Sequence, residues 1–389
     1  MNRVSIFLIV LLVSFLSCQD YKEKSCHLKG KVVDRDSRWL TIKKATENSS
    51  LSTINIPVDS SGVFNFDLSY DEIEAYELIF LDELNKGAWR PVLFFPDADT
   101  IEFVLFPMEK ADNDEVIGSE LSDCKKELEK SLRDNFIDEY MYIVNKQDSL
   151  KKLNQESTEY AISLKKKMDS LNNEVLYYQL HFAKSLGNIY GFYKLVDFLL
   201  EEKERRIIPI DTLKEYCTYF QLKYPNHPYS EISKYRLDAF DNIKIGGHFT
   251  DIIASDSSGK VYNLSRIIYS NKVTLIDLWA PWCGPCIRKS KKMIPVYRKY
   301  NDMGFEIFAV VGGIKSKDQF INAITIHSYP WIVTSDINSR NNIWEKYGIA
   351  KSGGKQFLVN NKGIIISINP SPLEIEEIMN SGDLKSKKE

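Results

Sequence analysis

The stretch LWAPWCGPC, residues 278–286, sets Cys283 and Cys286 two residues apart behind an apolar and aromatic run. A thiolate attacks sulfur, and a second thiol at this spacing can release the resulting mixed disulfide by internal attack, so the pair suits dithiol–disulfide exchange. Where a strand ends and a helix begins, unpaired backbone N–H groups and the helix dipole favour a thiolate, which makes Cys283 the candidate nucleophile. Cys286, one turn further on and on the same side, is expected to be the more buried, protonated, resolving thiol. Gly284 and Pro285 permit the tight turn and start the helix. The same spacing supplies half of a zinc site. No second pair follows, and His27, His181, His227, His248 and His327 lack ligand spacing, so no metal is expected.

The elements that must hold this pair alternate from Gly246 onward. VTLIDLWA reads as a strand, CGPCIRKSKKMIPVYRKY as a helix, FEIFAVV as a strand, and SKDQFINAITI and NNIWEKYG as helices. KQFLVN and GIIISI follow as a hairpin about residues 360–363, and PLEIEEIMN as a last helix. The order βαβ then αββα predicts a mixed sheet flanked by helices. Arg288, Lys289, Lys291 and Lys292 read as the solvated face of the motif helix.

Upstream, no glycine or proline interrupts the chain between Gly118 and Gly187, and apolar residues recur at helical spacing. Leu121, Leu128, Leu132, Phe136, Tyr140 and Ile143 fall on one face and read as bundle core. Further helices extend to about Phe240, broken at Pro209, Pro225 and Pro228. From Leu28 to Phe106 short alternating runs separated by turn residues predict a small antiparallel sandwich, with residues 59–62 suited to a hairpin turn.

A chain of 389 residues suggests two or three domains, and 43% hydrophobic residues allow real cores. Lysine and arginine total 51 against 54 acidic residues, leaving no broad cationic field for a nucleic-acid partner. Arg3 followed by the apolar run Ile6 to Leu16 reads as an export signal, too short for a membrane span. In an oxidising compartment thiols pair or do chemistry. Of the six cysteines, once Cys18 near the end of the export signal and the motif pair are set aside, Cys26, Cys124 and Cys217 remain as an odd set, at least one of them an unpaired buried thiol, and a Cys124–Cys217 bridge is conceivable.

Residues 246 to about 382 resemble a thioredoxin-fold domain of the TlpA-like and ResA-like thiol-disulfide oxidoreductases. WCGPC is similar to the active-site motif of that family, and GGHFTDIIASDSSGKVYNL to its additional N-terminal hairpin. The preceding regions resemble the N-terminal half of lipid-anchored members from Gram-negative bacteria, and SFLSC resembles a lipobox in which Cys18 is lipidated. The resemblance implies that Asp277, six residues before Cys283, is a buried carboxylate that helps deprotonate the resolving cysteine; an aspartate at a strand end facing water is the other reading. It also implies that Trp282 shapes the substrate-facing surface, and that Gly284-Pro285, as in reducing thioredoxins, sets a potential of about −270 mV. Opposite the motif the family carries a cis-proline three residues before the Phe of the next strand. Gly354 stands there, expected trans, and with Gly353 still permits close backbone approach. Lys291 occupies the position of the usual helix proline, with Pro295 later. A peroxiredoxin-type peroxidase would need proline seven residues, and Thr or Ser three residues, before its reactive cysteine. Ile276 and Ala280 precede Cys283 at those spacings, and Trp279 and Cys283 precede Cys286.

The expected fold class is therefore multidomain: an N-terminal all-β sandwich-like domain, a central α-helical region and a C-terminal α/β thioredoxin fold. The expected limits are 1–17 for a lipoprotein signal peptide, 18–26 for a tether, 27–108 for the β-domain, 109–243 for the helical region and 244–389 for the thioredoxin-like domain. The expected function is reduction of protein disulfides through a Cys283 mixed disulfide resolved by Cys286, with no cofactor beyond that redox-active disulfide. Expected partners are disulfide-containing client proteins and a membrane-embedded electron donor, for a lipid-anchored, periplasm-facing protein of the cell envelope. The alternatives are a non-catalytic cell-envelope lipoprotein that binds a ligand or partner through its N-terminal domains, and a thiol peroxidase.

Overall fold

The computed structural model describes residues 24–381, except 36, 49–53, 201–206 and 350–352. The expected signal peptide and Cys18 lie outside the described residues.

Strands β1 (Lys24–Val32), β4 (Val63–Tyr70), β7 (Thr100–Leu105) and β8 (Glu115–Ile117) form one four-stranded sheet in the order β4-β1-β7-β8. A second, ordered β3-β2-β5-β6, comprises β2 (Trp39–Lys44), β3 (Ile54–Pro57), β5 (Tyr76–Phe80) and β6 (Val92–Phe94). The alternation read from sequence sets the faces: Phe64 and Leu68 point inward and Asn65 and Asp67 outward. Leu28, Phe64, Phe94 and Phe103 fill the space between the sheets, with Phe94 edge-on to Phe103 at 5.3 Å. Two readings need correction. The strand begins at Lys24 and buries Cys26, so the expected tether 18–26 runs into β1. The Asp59 carboxylate does cap a tight turn, accepting N–H bonds from Ser61 and Val63 at 2.8 and 2.9 Å, with Gly62 at φ 81°. That turn passes the chain from one sheet to the other and closes no hairpin, because β3 pairs with β2 while β4 pairs with β1.

The helical region comprises α2 (Glu120–Lys152), α3 (Glu159–Leu186), α4 (Ile189–Leu200), α5 (Ile210–Lys223) and α6 (Pro228–Asn242), after a short α1 (Leu81–Lys86) in the β-domain. Ser119 and Thr158 supply the N-caps of α2 and α3, and Gly187 ends α3 in the left-handed conformation at φ 59°. Leu128 and Ile143 of α2 are buried as expected, but Tyr140 is 44% exposed, so the apolar stripe covers only part of the helix. The most apolar helix, α4, is buried on nearly every side. It carries Tyr190 and Tyr193 edge-on to Phe95, and the Ala75 N–H donates to the Tyr229 hydroxyl at 2.7 Å. Helices and sandwich thus share one apolar cluster.

The C-terminal region holds a seven-stranded sheet, β10-β9-β13-β12-β11-β14-β15. Its strands are β9 (Ile253–Ser255), β10 (Val261–Asn263), β11 (Val273–Trp279), β12 (Phe305–Ile314), β13 (Ile332–Ile337), β14 (Lys355–Asn360) and β15 (Ile365–Ile368). Helices α7 (Leu264–Ser270), α8 (Gly284–Tyr300), α9 (Lys317–His327), α10 (Ile343–Lys346) and α11 (Pro372–Ser381) accompany it. Strand β11 lies between parallel β12 and antiparallel β14, which explains its continuous apolar sequence: every residue in it is buried. Strand β13 is absent from the order read from sequence. Its side chains are only half-buried in alternation and it follows Pro330, so neither periodicity stands out. The chain is multidomain, with N-terminal β-sheets, a central helical region and a C-terminal thioredoxin fold.

Candidate active site

Strand β11 ends at Trp279 and α8 begins at Gly284, so Cys283 falls in the connection at the N-cap of α8. Its sulfur accepts the Cys286 backbone N–H at 3.3 Å, satisfying one of the donors that a helix start leaves without an internal partner. A negative sulfur here would sit at the positive end of a 17-residue helix. Pro285 occupies the first turn, where its missing N–H costs no bond. The two sulfurs are joined as a disulfide. Helix α8 runs on through Pro295, and Lys291 and Lys292 lie on its solvent side.

The exposure of the two cysteines differs from expectation. Cys283 is 9% exposed, whereas Cys286 is only partly buried. The cause is the loop before β14: a methyl group added at Gly353 would lie 2.3 Å from the Cys283 sulfur and 3.2 Å from that of Cys286. The next residue is equally restricted, since a Cβ on Gly354 would lie 2.0 Å from the Leu278 carbonyl oxygen. Gly353 lets the backbone lie directly on the disulfide, and Gly354 lets it lie against the backbone of β11. No cis peptide bond occurs among the described residues, so the loop is trans at Gly354.

Asp277 is 1% exposed, inside β11. Its two oxygens are each held: the Ser290 hydroxyl donates to Oδ2 at 2.6 Å and the Gln356 amide to Oδ1 at 3.0 Å. Burial pushes its pKa up to about 6, while those two hydrogen bonds and the Lys289 ammonium pull the other way. A cavity of about 270 Å³ links this carboxyl to the redox pair; Asp277, Cys283, Cys286, Gly353 and Gln356 all line it. At about 30 Å³ per water, it has room for a hydrogen-bonded path between carboxyl and thiol.

Sequence reasoning missed Ser290 and Gln356. Ser290 follows Cys286 by four residues, hence on the same helix face, and its buried hydroxyl also reaches the Cys286 carbonyl at 3.1 Å. That spacing was readable. Gln356 meets Asp277 only because β14 pairs with β11 in one particular register, Asp277 opposite Gln356, which no local pattern encodes.

The Redoxin family matches residues 244–380, the segment that carries this geometry. The thiol-disulfide oxidoreductase ResA of Geobacillus thermodenitrificans is 26% identical over 118 residues, covering 25% of this chain and 67% of its own length. Its counterpart from Geobacillus kaustophilus is 27% identical over 116 residues, covering 25% of this chain and 66% of its own. The alignments thus span about two thirds of those relatives. Among solved structures, the thioredoxin domain of a thiol-disulfide oxidoreductase from Bacteroides vulgatus is 19% identical, with a TM-score of 0.32, covering 36% of this chain and 99% of its own. The C-terminal domain is a thioredoxin-like oxidoreductase.

Other sequence-marked groups stand apart from the redox pair of this oxidoreductase domain. Trp282 projects from the motif and is 40% exposed. Cys26, Cys124 and Cys217 are free thiols, with Cys124 and Cys217 unbridged. Burial pushes the Cys26 pKa up to about 11 and that of Cys217 up to about 12, so both remain protonated at neutral pH. Among the described residues no group of three or more His, Cys, Asp or Glu side chains could hold a metal ion, and no helix is long and apolar enough to cross a membrane.

Proposed function

We propose that the chain reduces protein disulfides through its Cys283–Cys286 dithiol, as a cell-envelope lipoprotein anchored through Cys18 and facing the periplasm. In the reduced enzyme the Cys283 thiolate, favoured by the start of α8, attacks one sulfur of a client disulfide. The client's other sulfur leaves as a thiolate and takes up a proton, giving a Cys283–client mixed disulfide. Cys286 then loses its proton towards Asp277 and attacks the Cys283 sulfur. This expels the second client sulfur as a thiolate, which takes up the proton held by Asp277, and forms the enzyme disulfide: two electrons and two protons have moved to the client. A membrane-embedded dithiol donor returns the enzyme to its reduced form. Asp277 suits the middle step because a carboxyl held near pH 6 accepts a proton at neutral pH without being a permanently buried charge of ordinary acidity.

The observation that carries this reading is the convergence on one cavity of the disulfide, a buried carboxyl of raised pKa and the glycine pair Gly353–Gly354. Its test is dithiol-driven reduction of insulin by the full chain. Wild type is expected to catalyse it and Cys283→Ser to be inactive; equal rates for the two proteins would dismiss the proposal.

A further inference from the structure

Beside the motif, on the Trp282 side, lies a cleft of about 220 Å³ whose walls come from all three parts of the chain. One lining residue, Gly313, lies in a β-bulge, where the pairing of β12 with β13 shifts between Val311 and Ile314. The bulge residues are glycines, and both seat tryptophans. A Cβ on Gly312 would lie 2.3 Å from the Trp344 ring, and one on Gly313 would lie 2.8 Å from Trp282 Nε1. The sequence VVGGI therefore places two indole rings along one side of the cleft, one of them adjacent in sequence to Cys283. The opposite walls are Thr46 and its neighbours from the β-domain and Ile232 from α6.

The charges in the cleft cancel locally. Lys44 pairs with Glu74, Lys315 with Glu47 across the domains at 3.3 Å, and Arg236 with Glu345 across the domains at 3.6 Å; all six line it. A cleft with each cation facing its own carboxylate offers no net field to a charged ligand, while the tryptophans offer apolar surface. Its volume lies below that of the usual small-molecule pocket, about 300–1,000 Å³, and suits one large side chain.

Resting on the dithiol reading above, we propose that this cleft docks an uncharged, extended segment of the client polypeptide, one apolar or aromatic side chain of which lies against Trp282 and Trp344. The N-terminal domains then form a wall of the client site and restrict which disulfides reach Cys283.

The test is calorimetric titration of the full chain with an N-acetylated, C-amidated hexapeptide that is uncharged, carries one central Phe and contains no cysteine. Saturable binding is expected, weakened about tenfold both in Thr46→Trp, which fills the cleft from the β-domain, and in Trp344→Ala, which removes a wall. Matching circular dichroism and thermal unfolding establish that each variant is folded, and either variant alone suffices if the other is not. No saturable binding by wild type, or unchanged binding in the folded variants, overturns the cleft. Binding by a protein that reduces no insulin leaves the cleft standing and removes the dithiol reading; insulin reduction without peptide binding does the reverse.

Discussion

At the scale of single residues, Asp277 couples proton transfer to stability. Its pKa is raised from 3.8 to about 6 on folding, so the native state binds the proton more tightly than the unfolded chain. Stability from this group is complete below pH 3.8 and is lost as pH rises through about 6. Asp277→Asn removes that slope, and chemical denaturation at pH 8 is expected to find the variant more stable by up to about 3 kcal/mol. The same variant should lower insulin turnover by at least about a hundredfold, the lower end for loss of a general base. Ser290→Ala tests the clamp from the other side. The lost hydrogen bond favoured the ionised carboxyl, so the Asp277 titration should move to higher pH, read as a rightward shift of the acid limb of the pH–rate profile. An unchanged limb would show that Ser290 has no influence on the carboxyl. The remaining thiols give a contrast: alkylation of the reduced native protein at neutral pH, mapped by mass spectrometry, should label the motif cysteines long before buried Cys26 and Cys217.

At the scale of elements, the site is a strand end, a helix start and a loop, and these differ in how far they can be read from sequence. The helix start was legible because Cys283, Gly284 and Pro285 obey local rules, whereas Ser290, readable by its spacing from Cys286, was missed. The sandwich was legible from its period-two alternation, whereas the burial of Asp277 was expected from the resemblance, with a water-facing strand end as the other reading. The position of Gly353 and Gly354 opposite the motif was legible only through the resemblance, and Gln356 was not legible at all, because it depends on how distant β14 pairs with β11. For the same reason the order of burial of the two cysteines was misjudged. The loop gives a sharp prediction. Gly354→Ala would set a methyl group against the Leu278 carbonyl, a backbone atom that cannot swing aside, and should cost about 1–3 kcal/mol in chemical denaturation. Gly353→Val would displace the disulfide itself and should abolish insulin reduction; a variant with wild-type stability and rate would refute the close packing of this loop on the redox pair.

At the scale of the whole molecule, the β-domain, helices and oxidoreductase domain are linked by packing and by ion pairs such as Lys315–Glu47 and Arg236–Glu345. The N-terminal half is more than a spacer: its apolar cluster runs from the sandwich into α4, and α6 carries the arginine that reaches Glu345. The anchoring proposal belongs to this scale as well. Cys18→Ser should move the exported protein from the membrane fraction to the soluble fraction, with its insulin reduction unchanged; retention in the membrane fraction would argue against a lipid at Cys18. The central claim, that electrons pass to clients through Cys283, is tested most directly by Cys286→Ser in the full chain. With the resolving thiol gone, mixed disulfides with client proteins should accumulate, and peptide mapping should place every cross-link at Cys283. Cross-links at Cys26, Cys124 or Cys217, or none at all beside an active wild type, would contradict it.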